Sequence, residues 1–547
     1  MDLVLLYNKS SQFGLLRDVE GIFDAVGTSF HTADPLEPPI ACGTAIHLEV
    51  PVYAWMPWAT TNIFVVNPEW FEPAWVPYMP RFKYVVYKDH FSAGEAVAAG
   101  YVKQEQVRVI PWGAAEPVTT EKRGTVNTGF VWFLGGSVNK RAYVSKLLPL
   151  WREEYPPLRI YTTQPLEVDI SSANVRVEVR DLSPVERTGL AHFFRGHVAC
   201  SKAEGFSYAA AEAEWHGAFT LLNGLNCYRA DYEGEEGAYI FDETQADLDA
   251  AIKEFEATDF PTLEVKRQVR AAKRYQDFKR MVAELFVPSK PAGPFPPILV
   301  PSECPPISIV TLMYNRRRFF DLACHNILQS DYPLNKIEWI IVEDSDDPME
   351  DASDLITATA NKSNSVKIVY VPIKKKSIAE KRNLGVLKAT ADIVLMMDDD
   401  DHYPVTSFRR RVAWLLLHPW KPKAVTGTTI ACYDLVKGIS AVNVPPMQLP
   451  LGQRISEATL AFYKSWWEER GFPGGVQVGE GEDFIVGREM DVLEVPPQQI
   501  IVAFSHGKNT SSRRIPDGDV KPGCFWGFPK DFLVFVHGLA GINVVQD

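Results

Sequence analysis

Ala391-Asp392-Ile393-Val394-Leu395-Met396-Met397-Asp398-Asp399-Asp400-Asp401-His402-Tyr403-Pro404 joins an apolar run to four consecutive carboxylates. The run Ile393–Met397 reads as a strand buried on both faces, which puts the four aspartates at its carboxyl end. Like charges packed so closely repel unless water screens them or a cation sits among them. In an open α/β sheet the carboxyl ends of the strands are where ligands bind. Hard oxygen ligands there suit Mg²⁺ or Mn²⁺, and such an ion commonly carries a substrate's phosphates.

Working outward, the 547 residues are enough for two to four domains, with 46% apolar and 12% aromatic side chains to fill their cores. The net charge of −13 argues against a simple electrostatic grip on nucleic acid or on an anionic membrane. Seven scattered cysteines without a Cys-x-x-Cys pair fit reduced thiols, hence a cytoplasmic setting. The opening Met1–Asn8 reads as a first strand, and no apolar run approaches the length of a membrane span.

Eight prolines between Pro288 and Pro306 bar helix and central strand alike, so this segment reads as a stiff extended linker. Strands and helices alternate on both sides of it, the pattern of α/β domains with parallel sheets. The expected strands begin with Leu3–Tyr7, Ala45–Val50, Asn62–Val66, Tyr84–Tyr87 and Val107–Ile110. After the polar, turn-rich Pro117–Thr125 come Gly129–Leu134, Leu158–Thr162, Val175–Val179, His197–Ser201 and Phe219–Asn223. Residues 245–285 read as closing helices, and Ile307–Leu312, Ile337–Val342, Val366–Val371 and Ile393–Met397 follow the linker.

The C-terminal motifs resemble family-2 glycosyltransferases of the GT-A fold. Pro306-Ile307-Ser308-Ile309-Val310-Thr311-Leu312-Met313-Tyr314-Asn315-Arg316 is similar to their first strand, and Ile340–Ser345 to their second. Ala379-Glu380-Lys381-Arg382-Asn383-Leu384-Gly385 resembles their Arg-Asn-x-Gly helix, and Met397–Pro404 their Asp-x-Asp-Asp signature. The resemblance implies inverting, Mn²⁺- or Mg²⁺-dependent transfer from a UDP- or GDP-sugar. It assigns Asp400, Asp398 and His506 to the metal, with His506 otherwise a structural histidine. Asp398 also meets the diphosphate, Arg382 joins it on the donor, and Asp401 touches ribose or holds its loop. Asp344 binds base or ribose, or else caps a strand. Lys374–Lys376 either meet diphosphate or form a solvated edge. An acidic turn at Val478–Arg488 occupies the place of the base; Asp483 fits the family pattern best, with Glu480 and Glu482 as rivals. Phe462, Tyr463, Trp466 and Trp467 either stack on an acceptor sugar or belong to the core.

A second resemblance lies at Ser201–Gly217, where Glu204 and Glu212 are spaced as in the Glu-x7-Glu element of family-4 retaining glycosyltransferases of the two-lobed GT-B fold. Amides after Glu204 are expected to open a helix that accepts a diphosphate without metal. Glu204, Gly205 and Phe206 would address the donor sugar, and Glu212 the ribose. Phe133–Lys140 resembles the loop opening the second lobe, with Gly136 and Lys140 at the phosphates; Ser137 follows where the family carries an arginine, and Arg141 is a candidate substitute. Gly14 is a candidate in the first lobe's donor-facing loop, and Asn67, Glu69, Lys88 and His90 are candidates for acceptor contact.

The expected architecture is a two-lobed GT-B half, with lobes 1–122 and 123–287, a linker 288–306, a GT-A domain 307–515 and an extension 516–547. The expected function is a bifunctional glycosyltransferase adding successive sugars to one glycan or other hydroxyl acceptor. The alternatives are transfer to a modified DNA base, a GT-A half active alone beside an acceptor-binding GT-B half, and a non-catalytic sugar-binding scaffold.

Overall fold

The computed structural model describes residues 1–547 apart from 12–13, 28–29, 119–126, 169–171, 294, 363–364, 498, 507–508, 510–522, 525 and 543–547. The boundary expected at 122, part of the turn-rich 117–125 segment, and much of the extension 516–547 lie outside the described residues. The chain forms two compact units. Unit 1 comprises Met1–Glu37, Cys42–Val52 and Ala59–Pro291, and unit 2 comprises Pro38–Ala41, Tyr53–Trp58 and the chain from Ala292 onward.

Unit 1 holds two six-stranded sheets. The first is built from β1 (Leu3–Leu6), β2 (His31–Ala33), β3 (Cys42–Leu48), β4 (Ala59–Val65), β5 (Tyr84–Tyr87) and β6 (Val107–Val109), in the order β2-β1-β3-β4-β5-β6. The second is built from β7 (Asn127–Gly135), β8 (Leu158–Thr162), β9 (Val175–Val179), β10 (Phe194–Val198), β11 (Phe219–Asn223) and β12 (Ala238–Phe241), in the order β12-β11-β10-β7-β8-β9. Every pairing in both is parallel. Strands β1, β3 and β11 are buried along their whole length; β1 is an unbroken apolar run, whereas β3 also buries Thr44 and His47 and β11 Thr220 and Asn223. In the second sheet the order reverses between β7 and β10, so a crevice opens there at the strands' carboxyl ends. The 26-residue helix Phe260–Leu285 inserts Tyr275, Phe278 and Val282 into the core of the first lobe.

Unit 2 is a seven-stranded sheet with a small second sheet. Its strands are β13 (Ile307–Met313), β14 (Ile337–Glu343), β15 (Lys367–Pro372), β16 (Ile393–Met396), β17 (Ala424–Thr426), β18 (Ile430–Asp434), β19 (Ile439–Asn443), β20 (Ala461–Tyr463), β21 (Val492–Glu494) and β22 (Val502–Ser505). The large sheet runs β15-β14-β13-β16-β20-β17-β21 and the small one β19-β18-β22. Strands β13 to β16 are parallel, whereas β20 is antiparallel to β16 and β17. The fold is therefore mixed α/β with parallel, Rossmann-like sheets, as the alternation of strands and helices implies.

The proline-rich segment, expected as a stiff extended linker, is anchored along its length. From Ala292 it belongs to unit 2, where Leu299 and Cys304 are buried in the core. Its carbonyls are taken up, Leu299 by Arg409 at 2.8 Å and Pro305 by the Tyr332 hydroxyl at 2.5 Å. Prolines remove N–H donors but not acceptors, so such a segment can be tied down entirely through its carbonyls. No disulfide joins any of the seven cysteines. Among the described residues, no helix is long and apolar enough to cross a membrane.

The short segment Tyr53–Trp58 is also part of unit 2. Trp58 lies 5.5 Å from Trp414 between ring centroids, His418 Nε2 donates to the Pro57 carbonyl at 2.9 Å, and Arg454 stands over the Tyr53 ring at 4.2 Å. Removing a buried tryptophan costs about 3–5 kcal/mol. Trp58→Ala is expected to lower the stability of unit 2 by about 3 kcal/mol in urea unfolding followed by tryptophan fluorescence. A fragment beginning at Ala292, which lacks the segment, should melt below the full chain, and equal melting would refute this account.

Candidate functional site

In unit 2 the carboxyl ends of β13, β14 and β16 surround a cavity of about 460 Å³. Strand β14 ends in Glu343, and the next residue, Asp344, turns into the cavity. It accepts from Lys381 Nζ at 2.6 Å and from the Lys376 amide at 3.1 Å, with both side chains buried. Lys381 is held by the helix Ile378–Lys388, whose start is fixed by a capping box between Ser377 and Glu380. Past β13, Asn315 adopts φ 51°, a left-handed conformation that asparagine tolerates, and aims Arg316 at the aspartates.

Arg316 Nη1 lies 3.0 Å from Asp399 Oδ1 and 2.7 Å from Asp400 Oδ2. His506 Nε2 also reaches Asp400 Oδ2, at 3.0 Å, and Asn509 Nδ2 approaches the same oxygen at 3.4 Å. Burial, opposed by Arg316, pushes the Asp399 carboxyl above the usual range. Asp401 is fully buried and accepts from the Phe504 amide at 2.9 Å, which ties the aspartate loop to β22. Asp398, Asp400 and Asp401 can each bring one oxygen within 4.8 Å of the others. This hard-oxygen set beside an imidazole fits a divalent cation such as Mn²⁺ or Mg²⁺. Gly507, Lys508, Thr510 and Ser511 lie outside the described residues.

The acidic turn resolves unequally. Glu480 is buried, lines the cavity and accepts from Arg382 Nε at 2.7 Å, while Arg382 Nη2 lies 3.8 Å from Asp398. Glu482 and Asp483 are exposed and do not line the cavity. Glu457, which sequence reasoning passed over, lines it as well; burial and the nearby Glu480 raise its carboxyl. Lys375 and Lys376 line the cavity, with Lys375 Nζ 3.2 Å from the Tyr314 ring centre. Phe462 and Trp466 are core residues without exposure, so they present no face to an acceptor. Arg316 and Asn509 were missed because their partners lie far away in sequence.

Unit 1 contains a second cavity, of about 590 Å³, at the carboxyl ends of β7 and β8. Gly136, Lys140, Glu204 and Phe206 line it, as does Gly14. Ser137 caps the helix Val138–Leu147, and Lys140 Nζ lies 3.5 Å from Glu204 Oε1. The helix expected directly after Glu204 starts only at Tyr208, because Ser207 is its cap. Glu204 therefore sits on the preceding loop rather than on the helical face that carries Glu212. Gly205 does not line the cavity; a Cβ there would stand 2.9 Å from both Asn67 Oδ1 and Glu69 Oε2, so glycine permits this close approach. Glu212 is buried outside the cavity lining and is paired with Arg17 and Arg187, two cavity residues that the sequence pattern did not single out. Arg141 does not line the cavity.

Residues 308–420 match the family model Glycosyl transferase family 2. The chain carries a glycosyl transferase family 2 domain. No curated protein matches the chain. Among solved structures, it is similar to the mannosyltransferase PcManGT from Pyrobaculum calidifontis in complex with GDP-Man and Mn²⁺, at 18% identity and TM-score 0.30 over 40% of this chain and 62% of that one. It is similar to S. aureus TarS 1–349 in complex with UDP-GlcNAc, at 15% identity and TM-score 0.30 over 38% of this chain and 62% of that one. It is also similar to an E. coli structure described as trehalose-6-phosphate bound with UDP-2-fluoro glucose, at 7% identity and TM-score 0.40 over 52% of this chain and 100% of that one. The chain thus spans less than two thirds of the length of the first two.

The Lys381–Asp344 pair yields a test of the site's electrostatics. Removing one partner of a buried pair strands the other charge, at a cost of about 3–5 kcal/mol. Lys381→Met is expected to destabilise unit 2 by about 3 kcal/mol in urea titration, and Lys381→Met/Asp344→Leu to recover most of it. A double variant no more stable than the single one would contradict this.

Proposed function

We propose that the chain is a glycosyltransferase with two nucleotide-sugar sites that use different chemistry. The unit 2 site transfers a sugar with inversion from a UDP- or GDP-sugar and depends on Mn²⁺ or Mg²⁺. The observation that carries this reading is the cluster of Asp398, Asp400 and Asp401 at the carboxyl end of β16, inside the family-2 domain, with His506 3.0 Å from Asp400. Asp398, Asp400 and His506 hold the cation, which when bound offsets charge on a departing diphosphate. Asp344 and Lys381 address the nucleoside, and Arg382 the diphosphate. Glu480 is the base, because of Glu480, Glu482 and Asp483 it is the one that lines the cavity.

The unit 1 site transfers with retention and without metal. Gly136 and the helix start at Val138 supply amides for a diphosphate, as helix N-termini do, and Lys140 and Glu204 lie beside them. Two transferases on one chain fit successive additions to one hydroxyl acceptor, because a tethered intermediate meets the second site at high effective concentration. A second reading, with unit 2 active alone, draws on the family match being confined to residues 308–420.

Turnover of a panel of UDP- and GDP-sugars by the full chain, with Mn²⁺ or with EDTA, tests both readings. Asp400→Asn should cut metal-dependent turnover about a hundredfold or more and leave metal-free turnover intact. Glu204→Gln should do the reverse, with the anomer of each product read by NMR. If no metal-free turnover is found on any donor, the second reading prevails.

A further inference from the structure

The unit 1 cavity gathers positive charge by a route that its sequence motifs do not show. Next to Gly136 stands Ser137 and not an arginine, and Lys140 is already turned toward Glu204 at 3.5 Å. Two other guanidiniums fill the gap. Arg17 comes from the first turn of the helix Gly14–Val26 in the first lobe, and Arg187 from the helix Pro184–Phe193 in the second. Both line the cavity and both bind one carboxylate, Glu212.

The geometry of this trio is that of a holder and two held groups. Arg187 grips Glu212 with a fork, Nη1 to Oε1 at 2.9 Å and Nη2 to Oε2 at 2.6 Å, and Arg17 Nη1 bonds Oε1 as well. Glu212 is sealed, its side chain 9% exposed, while the side chains of Arg17 and Arg187 remain 37% and 27% exposed. Aromatic faces fix the guanidinium planes: Arg17 lies 5.2 Å from the Tyr208 ring centre and Arg187 5.3 Å from that of Phe133. A guanidinium carries five N–H donors, so donors remain for a second anion on the cavity side. Two cations on one carboxylate leave the trio with a net positive charge. Burial alone would raise the Glu212 carboxyl, but Arg187 and Arg17 outweigh it and hold it below the usual range.

We propose that Arg17 and Arg187 are the diphosphate-binding pair of the unit 1 cavity, and that Glu212 is their positioning residue rather than a ligand of the ribose. This rests on the reading of that cavity as a nucleotide-sugar site. The pair joins the two lobes on one anion, so a bound diphosphate is gripped from both sides.

The test uses the full chain carrying Asp400→Asn, in EDTA, so that the unit 2 site is silenced. Inorganic pyrophosphate, UDP and GDP are titrated calorimetrically. Arg17→Ala and Arg187→Ala should each weaken pyrophosphate and the preferred nucleotide about tenfold or more. Glu212→Gln should weaken both ligands in parallel. Pyrophosphate has no ribose, so this parallel loss is the signature of a positioning role. Loss of UDP or GDP affinity with pyrophosphate unchanged in Glu212→Gln would make Glu212 a ribose ligand and overturn the proposal. Because Arg17→Ala/Arg187→Ala strands the Glu212 charge, Arg17→Ala/Arg187→Ala/Glu212→Gln is the control for folding; it should melt as the parent does and bind no pyrophosphate. If the arginine variants and this control bind within twofold of the parent, the inference falls while the nucleotide-site reading stands. If the parent binds neither pyrophosphate nor nucleotide, both fall together.

Discussion

Unit 2 is organised by the need to keep carboxylates apart at the carboxyl ends of β14 and β16. Asp344, Asp398, Asp399, Asp400, Glu457 and Glu480 all face one cavity, and most are nearly sealed from water. At low effective dielectric such charges cannot coexist without compensation. Arg316, from the turn after β13, and Lys381 and Arg382, from the helix Ile378–Lys388, provide it. The backbone around the site serves this requirement: the left-handed Asn315 turns Arg316 inward, and the Ser377–Glu380 capping box sets the helix that delivers Lys381 and Arg382. Asp401 adds mechanical support through the Phe504 amide, which keeps the loop bearing His506 beside Asp400.

Unit 1 meets the same constraint with the signs exchanged. There a single sealed carboxylate, Glu212, organises two arginines, and the cavity wall is basic where that of unit 2 is acidic at its floor. A basic wall next to a helix N-terminus suits an anion directly, whereas clustered aspartates suit it only through a cation. On the proposed reading, the two units offer contrasting electrostatic solutions to the binding of one kind of group.

Much of this was legible in the sequence. Strands such as β1 and β16 are buried along their whole length, and their unbroken apolar runs mark them plainly. The three-residue strands β2, β17, β20 and β21 were not anticipated, since three residues carry no usable period. Asp344, directly after β14, and Asp400, in the loop after β16, line the cavity at the strand ends where the sequence pattern places ligands. Arg17, Arg187, Glu457 and Asn509 were not assigned roles, because their contacts join residues tens to hundreds of positions apart. The ranking within Glu480–Asp483 also needed coordinates: a short helix turns one carboxylate inward and two outward, and no spacing rule tells which.

The Tyr53–Trp58 segment has a consequence for the way the protein is made. A ribosome releases the chain from its N-terminus, at roughly 5–20 residues per second. His418, whose imidazole binds the Pro57 carbonyl, lies 361 positions later. For roughly 20–70 s of synthesis, Trp58 is therefore exposed without the core it finally enters. During that interval the nascent chain displays an apolar patch that a chaperone can hold and that a neighbouring nascent chain can capture. Completion of unit 2 withdraws that patch, so translation speed and chaperone supply become determinants of yield.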